Sequence, residues 1–373
     1  MAYDVVVIGQ GAAGSAALYH LARRGKRVLG IERFAAGHDR GSSHGQTRII
    51  RLGYFEHPSY VPLVRSAYEL WRDLEAASGE RLLHITGIAE MGRPDSELVT
   101  GTLASSRQHG LTHEILEARE LMRRYPPFKL PDDFVAVIQP EGGFVQAERA
   151  LRAHLRLAQD HGAELREGER VLAVEPRGAG VRVVTASGTV EAGSAIVAAG
   201  AWAATLLPGL PARLRATRQV LTWVEPDDPA PFREERFPVW MLESASGIHY
   251  GFPYSDAEGL KVAKHHHERE VVDPETYDRT VSAKDEAAVR AALSTFLPPA
   301  DRPLRAAKTC LYTMTDDGDF ILDRMPGCPQ IVVASPCSGH GFKFSPAVGA
   351  ILADLALTGE TSYETGRFRI DRF

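Results

Sequence analysis

Three glycines near the beginning of the chain have a spacing that suits the pyrophosphate of a dinucleotide. The segment Gly9-Gln-Gly11-Ala-Ala-Gly14 follows the apolar run 3–8 and precedes a helix-like segment. The first glycine permits a tight turn, the second lets the backbone approach a pyrophosphate, and the third lets the helix pack on the strand. The N-terminus of that helix attracts phosphates. The pattern predicts a nucleotide-binding βαβ unit.

An acidic residue strengthens this interpretation. Glu32 directly follows a second apolar run, 28–31, and lies 18 residues after Gly14. That position suits a carboxylate that accepts a hydrogen bond from a ribose hydroxyl. The alternative is a glycine-rich turn in an ordinary α/β protein.

Length and charge bound the class of protein. A chain of 373 residues exceeds the size at which one hydrophobic core usually stops growing, so two domains are expected. The formal net charge of -5 provides no basic field for nucleic acid, and nucleic acid is not an expected partner. The first apolar stretch lacks a basic leader, and no apolar run reaches the ~20 residues of a membrane span. We therefore predict a soluble cytoplasmic protein without a membrane partner.

The cysteines and histidines do not indicate a metal site. Cys310, Cys328 and Cys337 are too few for a disulfide framework, and no pair has zinc-ligand spacing. The run 265–267 consists of three histidines, but adjacent residues do not converge on one ion. The prediction is that the protein has no metal.

The pattern of elements predicts an α/β (α+β) fold with a discontinuous nucleotide-binding domain. Apolar residues at helical spacing indicate helices over 60–76, 147–160 and 284–296. Prolines cluster after residue 207, and short alternating runs there indicate an antiparallel sheet. The predicted domains are a nucleotide-binding domain, comprising 1–85, 141–207 and 320–373, and a substrate domain, comprising 86–140 and 208–319.

A second glycine-rich loop near the other end of the chain restricts the choice of cofactor. The strand-like run 330–334 is followed by Gly339-His-Gly341 and then by a helix that reaches Leu357. Two such loops imply a cofactor that is contacted from both ends of the chain. A nicotinamide-dependent dehydrogenase, which Glu32 would also suit, does not need the second loop.

With these motifs the chain resembles, over nearly its full length, the family of flavoenzymes that contains monomeric sarcosine oxidase and N-methyltryptophan oxidase. The matching segments are 9–14, 41–51, 250–253, 259–261, 310–312 and 338–345. The resemblance implies a Rossmann-like FAD-binding domain beside an antiparallel-sheet substrate domain. It also implies an FAD-dependent oxidase of secondary amino acids that reduces O2 to H2O2, and a monomer.

The resemblance assigns roles to three residues that bind cofactor or substrate. Cys310 matches the cysteine that forms a thioether with the flavin 8α-methyl carbon, whereas Cys337 occupies a position where the family has no linking residue. Arg51, with its bidentate fork, and Lys343, with its point charge, match the residues that bind the substrate carboxylate.

The catalytic assignments also come from the resemblance. Lys261 matches the lysine that promotes oxygen reduction, because a buried cation stabilises superoxide. His265 matches an active-site histidine that biases substrate protonation, whereas His266 and His267 are expected at the surface. The full set of expected catalytic residues is Lys261, His265, Arg48, Tyr250 and Tyr312, and the two tyrosines are also expected to frame the substrate amine.

Contacts to FAD are expected from both glycine loops and from the segments between them. Arg48 would place a cation near the flavin ring, and the helix after Gly341 would direct its N-terminal dipole at the anionic reduced flavin. The expected cofactor-binding residues are Gly9, Gly11, Gly14, Glu32, Arg33, Ser42, His44, Thr47, Arg48, Val171, Gly200, Trp202, Cys310, Gly339, Gly341, Phe342 and Lys343.

Departures from the family pattern leave the substrate open. The segment 52–60, with Phe55 and Pro58, differs from the glycine-rich segment of the family and is expected to border the pocket. The expected substrate is therefore a small or cyclic N-alkyl amino acid, with N-methyltryptophan and pipecolate types as alternatives to sarcosine. A flavin dehydrogenase of amino or imino acids and a flavin-binding protein without turnover are the other hypotheses.

Overall fold

A computed structural model describes residues 3–373, which form two large sheets, one small sheet and the helices that cover them. The strands are β1 (Tyr3–Ile8), β2 (Val28–Ile31), β3 (Thr47–Ile50), β4 (Leu83–Ile85), β5 (Ile88–Gly92), β6 (Glu114–Glu117), β7 (Val135–Gln139), β8 (Gly143–Gln146), β9 (Glu164–Arg166), β10 (Val171–Arg177), β11 (Gly180–Thr185), β12 (Gly188–Val197), β13 (Arg215–Val224), β14 (Val239–Ser244), β15 (Gly247–Gly251), β16 (Leu260–Lys264), β17 (Leu304–Met314), β18 (Ile321–Met325) and β19 (Cys328–Ser335). The α-helices are α1 (Ala12–Ala22), α2 (Val61–Ser78), α3 (Glu97–His109), α4 (Ala118–Arg124), α5 (Ala147–Asp160), α6 (Ala203–Leu206), α7 (Ala283–Phe296) and α8 (Ser345–Leu357). No helix within residues 3–373 combines the length and the apolar character that a membrane crossing requires.

The first sheet has the strand order β10-β11-β12-β1-β2-β9, and β19 with β18 extends from β12. Its centre is parallel: β1 pairs with β2 and β12, and β12 pairs with β19. The interior of β1 is fully buried, as expected for a parallel strand that is covered on both faces. The helices α1, α5 and α8 pack in the core that lies against this sheet.

Two glycines allow the first helix, α1, to pack closely against β1 and against the C-terminal helix α8. A Cβ atom on Gly14 would lie 1.8 Å from the carbonyl oxygen of Gly9, so a larger residue would push α1 away from β1. A Cβ atom on Gly349 would lie 2.5 Å from the backbone of Ala16, where α8 crosses α1. The C-terminal helix therefore packs directly on the first helix of the chain.

The second sheet has the order β17-β13-β16-β15-β14-β5-β7-β6. All its neighbours are antiparallel except β5 and β14, which run parallel. The small third sheet contains β3, β8 and β4. The predicted fold class is confirmed. The domain boundaries remain a prediction, with which the membership of the two large sheets is consistent.

The loop after β16 contradicts the expectation that His267 lies at the surface. His267 is 4% exposed, not at the surface, and its Nε2 lies 2.8 Å from Oδ1 of Asp285. Arg218 donates to both oxygens of Asp285, at 2.8 and 2.9 Å, and Asp285 also closes the N-terminal capping box of α7 with Ser282. A buried carboxylate with these partners draws His267 inward, and His266 is half-buried.

Candidate active site

One cleft gathers most of the predicted site residues. It runs from the first sheet to the second sheet and is lined by both glycine-rich loops and by side chains of β15 and β17. The predicted residues that line it are Gly9, Gly11, Glu32, Arg33, Ser42, Arg48, Arg51, Val171, Gly200, Trp202, Tyr250, His265, Cys310, Tyr312, Gly339, Gly341, Phe342 and Lys343. Segments that are far apart in the sequence therefore meet at one site.

Four predicted residues do not line this cleft, namely Gly14, His44, Thr47 and Lys261. Gly14 lies within α1, His44 is buried, and Thr47 is the first residue of β3. Lys261 directs its Nζ at the start of β3 and the loop before it, where it donates to the carbonyl oxygens of Gly45 and Thr47, the latter at 2.8 Å. Burial, followed by the charge of Arg48, holds the pKa of Lys261 well below its usual value. The catalytic role of Lys261 stays a prediction.

Glu32 lies at one end of the cleft as a preformed acceptor. Its two oxygens accept hydrogen bonds from the backbone N–H groups of Gln10, at 2.9 Å, and Phe34, at 3.0 Å. Burial alone would raise its pKa, but hydrogen bonds from His38 and these N–H groups lower the pKa overall. Glu32 is therefore ionised at neutral pH and suits a ribose hydroxyl.

The residues of this cleft fit FAD. The two glycine-rich loops and the carboxylate of Glu32 match the parts of a dinucleotide. Ser345, the first residue of α8, also lines the cleft, so the positive end of that helix dipole faces it. The cleft therefore suits a long cofactor that carries phosphates and an electron-accepting ring.

Arg51 and Lys343 form a buried cationic centre in the same cleft. Arg51 is 1% exposed, and its Nη2 donates to both oxygens of Glu56, at 3.0 and 2.8 Å. The guanidinium carbon lies 4.7 Å from the ring centroid of Tyr54. Lys343 donates from Nζ to the carbonyl oxygen of His340 at 2.7 Å. Burial, followed by the charge of Arg51, lowers the pKa of Lys343 to about 7.

Two acidic residues of this centre escaped the sequence analysis. Glu56 belongs to the segment 52–60 and occupies the fork of Arg51. Glu90 lies in β5, is 0% exposed and has Oε1 3.2 Å from Nε of Arg51. A signal was present in the sequence, because a carboxylate inside the apolar run 88–91 requires a buried partner.

His265 and two tyrosines form a neutral polar wall near the cationic centre. Nδ1 of His265 lies 3.3 Å from the hydroxyl oxygen of Tyr312. Burial holds the pKa of His265 well below its usual value and raises the pKa of both Tyr250 and Tyr312. The imidazole and both phenols are therefore uncharged at neutral pH.

Two cysteines line the cleft. Cys310 is buried on β17, with Sγ 3.8 Å from the carbonyl oxygen of Gly41. Burial raises the pKa of the Cys310 thiol and raises that of Cys337, which also lines the cleft, to about 11. Geometry leaves both thiols as candidates, so the predicted thioether at Cys310 stays a prediction. Among residues 3–373, no group of three or more His, Cys, Asp or Glu residues could hold a metal ion.

The family follows from the comparison with known proteins. The family model described as FAD dependent oxidoreductase matches residues 4–355. The chain belongs to this family and is an enzyme that uses FAD in an oxidation–reduction reaction.

Individual relatives support the narrower resemblance. The chain is 44% identical to monomeric sarcosine oxidase of Streptomyces avermitilis, over 98% of this chain and 96% of the relative. It is 35% identical to N-methyl-L-tryptophan oxidase of Salmonella typhi, over 100% of both chains. Among solved structures it is similar to NikD, described as an unusual amino acid oxidase, with a TM-score of 0.86 and 30% identity over 98% of this chain and 97% of that chain. The predicted resemblance is confirmed.

Proposed function

We propose that the protein is an FAD-dependent oxidase of secondary, N-alkyl amino acids such as sarcosine. In this reaction the C–N bond is oxidised to an imine and O2 is reduced to H2O2. The observation that carries the proposal is the pair of buried cations, Arg51 and Lys343, in the same cleft as both glycine-rich loops. The sarcosine oxidase and N-methyl-L-tryptophan oxidase relatives support the same reaction class.

Arg51 and Lys343 would bind the carboxylate of the substrate. FAD, held by the glycine-rich loops and Glu32, supplies the acceptor for a hydride equivalent. In the free protein the Nη2 atom of Arg51 is paired with Glu56. A substrate carboxylate would therefore take the place of Glu56 or bind at Nη1, which has no hydrogen-bond partner within residues 3–373. The two cations then fix one end of the substrate.

The surroundings of the amine would favour its neutral form, which is the form that can give up a hydride. His265, Tyr250 and Tyr312 are uncharged at neutral pH, as argued from their shifted pKa values. Burial beside these neutral groups disfavours a positive charge on the amine. An ammonium group would therefore lose its proton more easily here than in water.

The first experiment is an anaerobic titration of the purified holoenzyme, monitored by flavin absorbance. Sarcosine, N-methyltryptophan, L-proline and L-pipecolate are added separately. The proposal expects at least one of them to bleach the flavin, and expects colour and peroxide to return together when air is admitted. Bleaching without rapid return in air would favour the dehydrogenase hypothesis. No bleaching by any of them would contradict the proposal.

We also propose that Cys310 carries FAD through a thioether to the 8α-methyl carbon. Acid-precipitated parent protein is expected to stay yellow, because a covalent cofactor survives unfolding. Cys310→Ala is expected to give a white precipitate and a yellow supernatant. The matched control is Cys337→Ala, whose thiol also lines the cleft and whose precipitate should stay yellow. A white precipitate from the parent, or from Cys337→Ala alone, would exclude the linkage at Cys310.

A further inference from the structure

The buried carboxylate of Glu90 lies beside Nε of Arg51 and has no role in the proposed reaction. Glu90 is 0% exposed, and its Oε1 lies 3.2 Å from Nε of Arg51. Within residues 3–373, neither oxygen of Glu90 has a well-formed hydrogen bond, and Nε and Nη1 of Arg51 also lack one. The contact between the two side chains is therefore electrostatic. Burying such a charge is costly unless it is compensated, which makes an incidental carboxylate unexpected.

Two basic side chains and a second carboxylate surround Glu90. Arg51 and Glu56 face it from the segment after β3, and Lys343 faces it from the second glycine-rich loop. Thr102 of α3 is uncharged. Met241, which pairs with Glu90 on the adjacent strand β14, is uncharged as well. Two acidic and two basic side chains thus meet at this centre, and Glu90 and Arg51 are almost fully buried.

We propose that Glu90 determines the charge of the ligand that this centre accepts, by acting as a counter-charge to Arg51. This inference rests on the proposed carboxylate site. An ionised Glu90 repels an anionic ligand at Arg51 and so limits the affinity of the site for a carboxylate. A second acidic group on a substrate would add to the repulsion, which selects for amino acids with a single carboxylate.

The protonation of Glu90 gives this repulsion a pH dependence. Burial, partly opposed by the charge of Arg51, raises the pKa of Glu90 to about 7. Glu90 is mainly neutral below this pH and mainly ionised above it. The repulsion is therefore strong at pH 8 and weak at pH 6.

The test compares a charged probe with a neutral probe of the same shape. Methoxyacetate resembles sarcosine with an ether oxygen in place of nitrogen, and methoxyacetamide is its uncharged amide. Dissociation constants for both are measured on the holoenzyme from the perturbation of flavin absorbance, at pH 6 and pH 8. The variant is Glu90→Gln, which keeps the shape and removes the charge. The control is Glu243→Gln, which removes a carboxylate of β14 that accepts from the backbone of Leu98.

Glu90→Gln is expected to bind methoxyacetate at least about tenfold more tightly than the parent at pH 8. A like charge close to a site disfavours a second negative charge there. An effect of one pKa unit corresponds to an about tenfold change in an equilibrium constant. The difference should shrink at pH 6, and methoxyacetamide should bind equally to both proteins. Unchanged or weaker binding of methoxyacetate to Glu90→Gln at pH 8 would overturn the inference. If the parent binds methoxyacetamide as tightly as methoxyacetate at both pH values, the carboxylate site itself is wrong and the inference fails with it.

Discussion

At a pH below the pKa of Lys261, replacement of Lys261 by Met is expected to slow the reaction of the reduced enzyme with O2 by about 10²–10³-fold, the usual effect of removing one electrostatic group that stabilises developing charge. The rate of anaerobic reduction by substrate should change far less, since Lys261 does not line the cleft. Its Nζ is held by the backbone of Gly45 and Thr47 and lies 4.7 Å from the ring centroid of Phe252, a cleft residue. Stopped-flow absorbance measures the two half-reactions separately.

The matched control for this prediction is Lys264→Met. Lys264 lies on the same strand, but its side chain is more exposed and pairs with Glu268 at 3.4 Å. This variant should react with O2 like the parent. Equal slowing of both half-reactions in Lys261→Met, or none in either, would remove Lys261 from the oxygen reaction.

The pH dependence of the reaction with O2 provides a second test of the role of Lys261. The ammonium form of Lys261 is the form that stabilises negative charge on oxygen, and it prevails below the pKa. Burial, followed by the charge of Arg48, lowers that pKa well below the usual lysine value. The rate of oxidation by O2 should therefore fall as the pH rises, and the fall should begin at a lower pH than for an exposed lysine. Lys261→Met should lack this step.

Lys343→Met is expected to weaken the binding of a carboxylate substrate by about 10- to 100-fold below pH 7, which corresponds to the ~1.5–3 kcal/mol of a charged hydrogen bond. Burial lowers the pKa of Lys343 to about 7, so its ammonium form prevails only below that pH. The affinity of the parent should therefore fall as the pH rises through 7, and that of the variant should depend less on pH.

Anaerobic titration of flavin reduction against substrate concentration measures the binding change in Lys343→Met. Lys129→Met, which replaces an exposed lysine, serves as the control and should leave the dissociation constant unchanged. A variant that binds substrate like the parent at pH 6 would show that Lys343 does not touch the carboxylate.

The sequence was most informative where a backbone constraint is local. Gly14 must lack a side chain because the carbonyl oxygen of Gly9 lies where Cβ would be, so the motif identifies its own geometry. The helix predicted over 147–160 was correct because apolar residues at helical spacing cover one face of α5. Patterns of this kind are visible in a short stretch of chain.

Interactions between distant segments were beyond the reach of the sequence. No local pattern reveals that Glu90 on β5 meets Arg51, since the contact depends on how the second sheet lies against the segment after β3. The same reason explains why the burial of His267 was not predicted. His267 belongs to a polar run in the sequence, and its burial depends on a contact with Asp285 of α7. The direction of the Lys261 side chain likewise depends on the carbonyl groups of another loop.

The packing of α8 on α1 has a consequence for how the enzyme is made. While the chain emerges from a ribosome, the first helix is complete long before residues 345–357 exist, so the surface around Ala16 lacks its contact with α8 during most of translation. The wall of the cleft that contains Gly339 and Lys343 arrives equally late. Such long-range closure is slow and exposes apolar surface to aggregation. Both glycine-rich loops line the cleft, so a complete cofactor site exists only once the two ends of the cleft have met. A free pool of FAD at the end of synthesis should therefore raise the yield of folded enzyme, because a ligand that binds the folded state stabilises it.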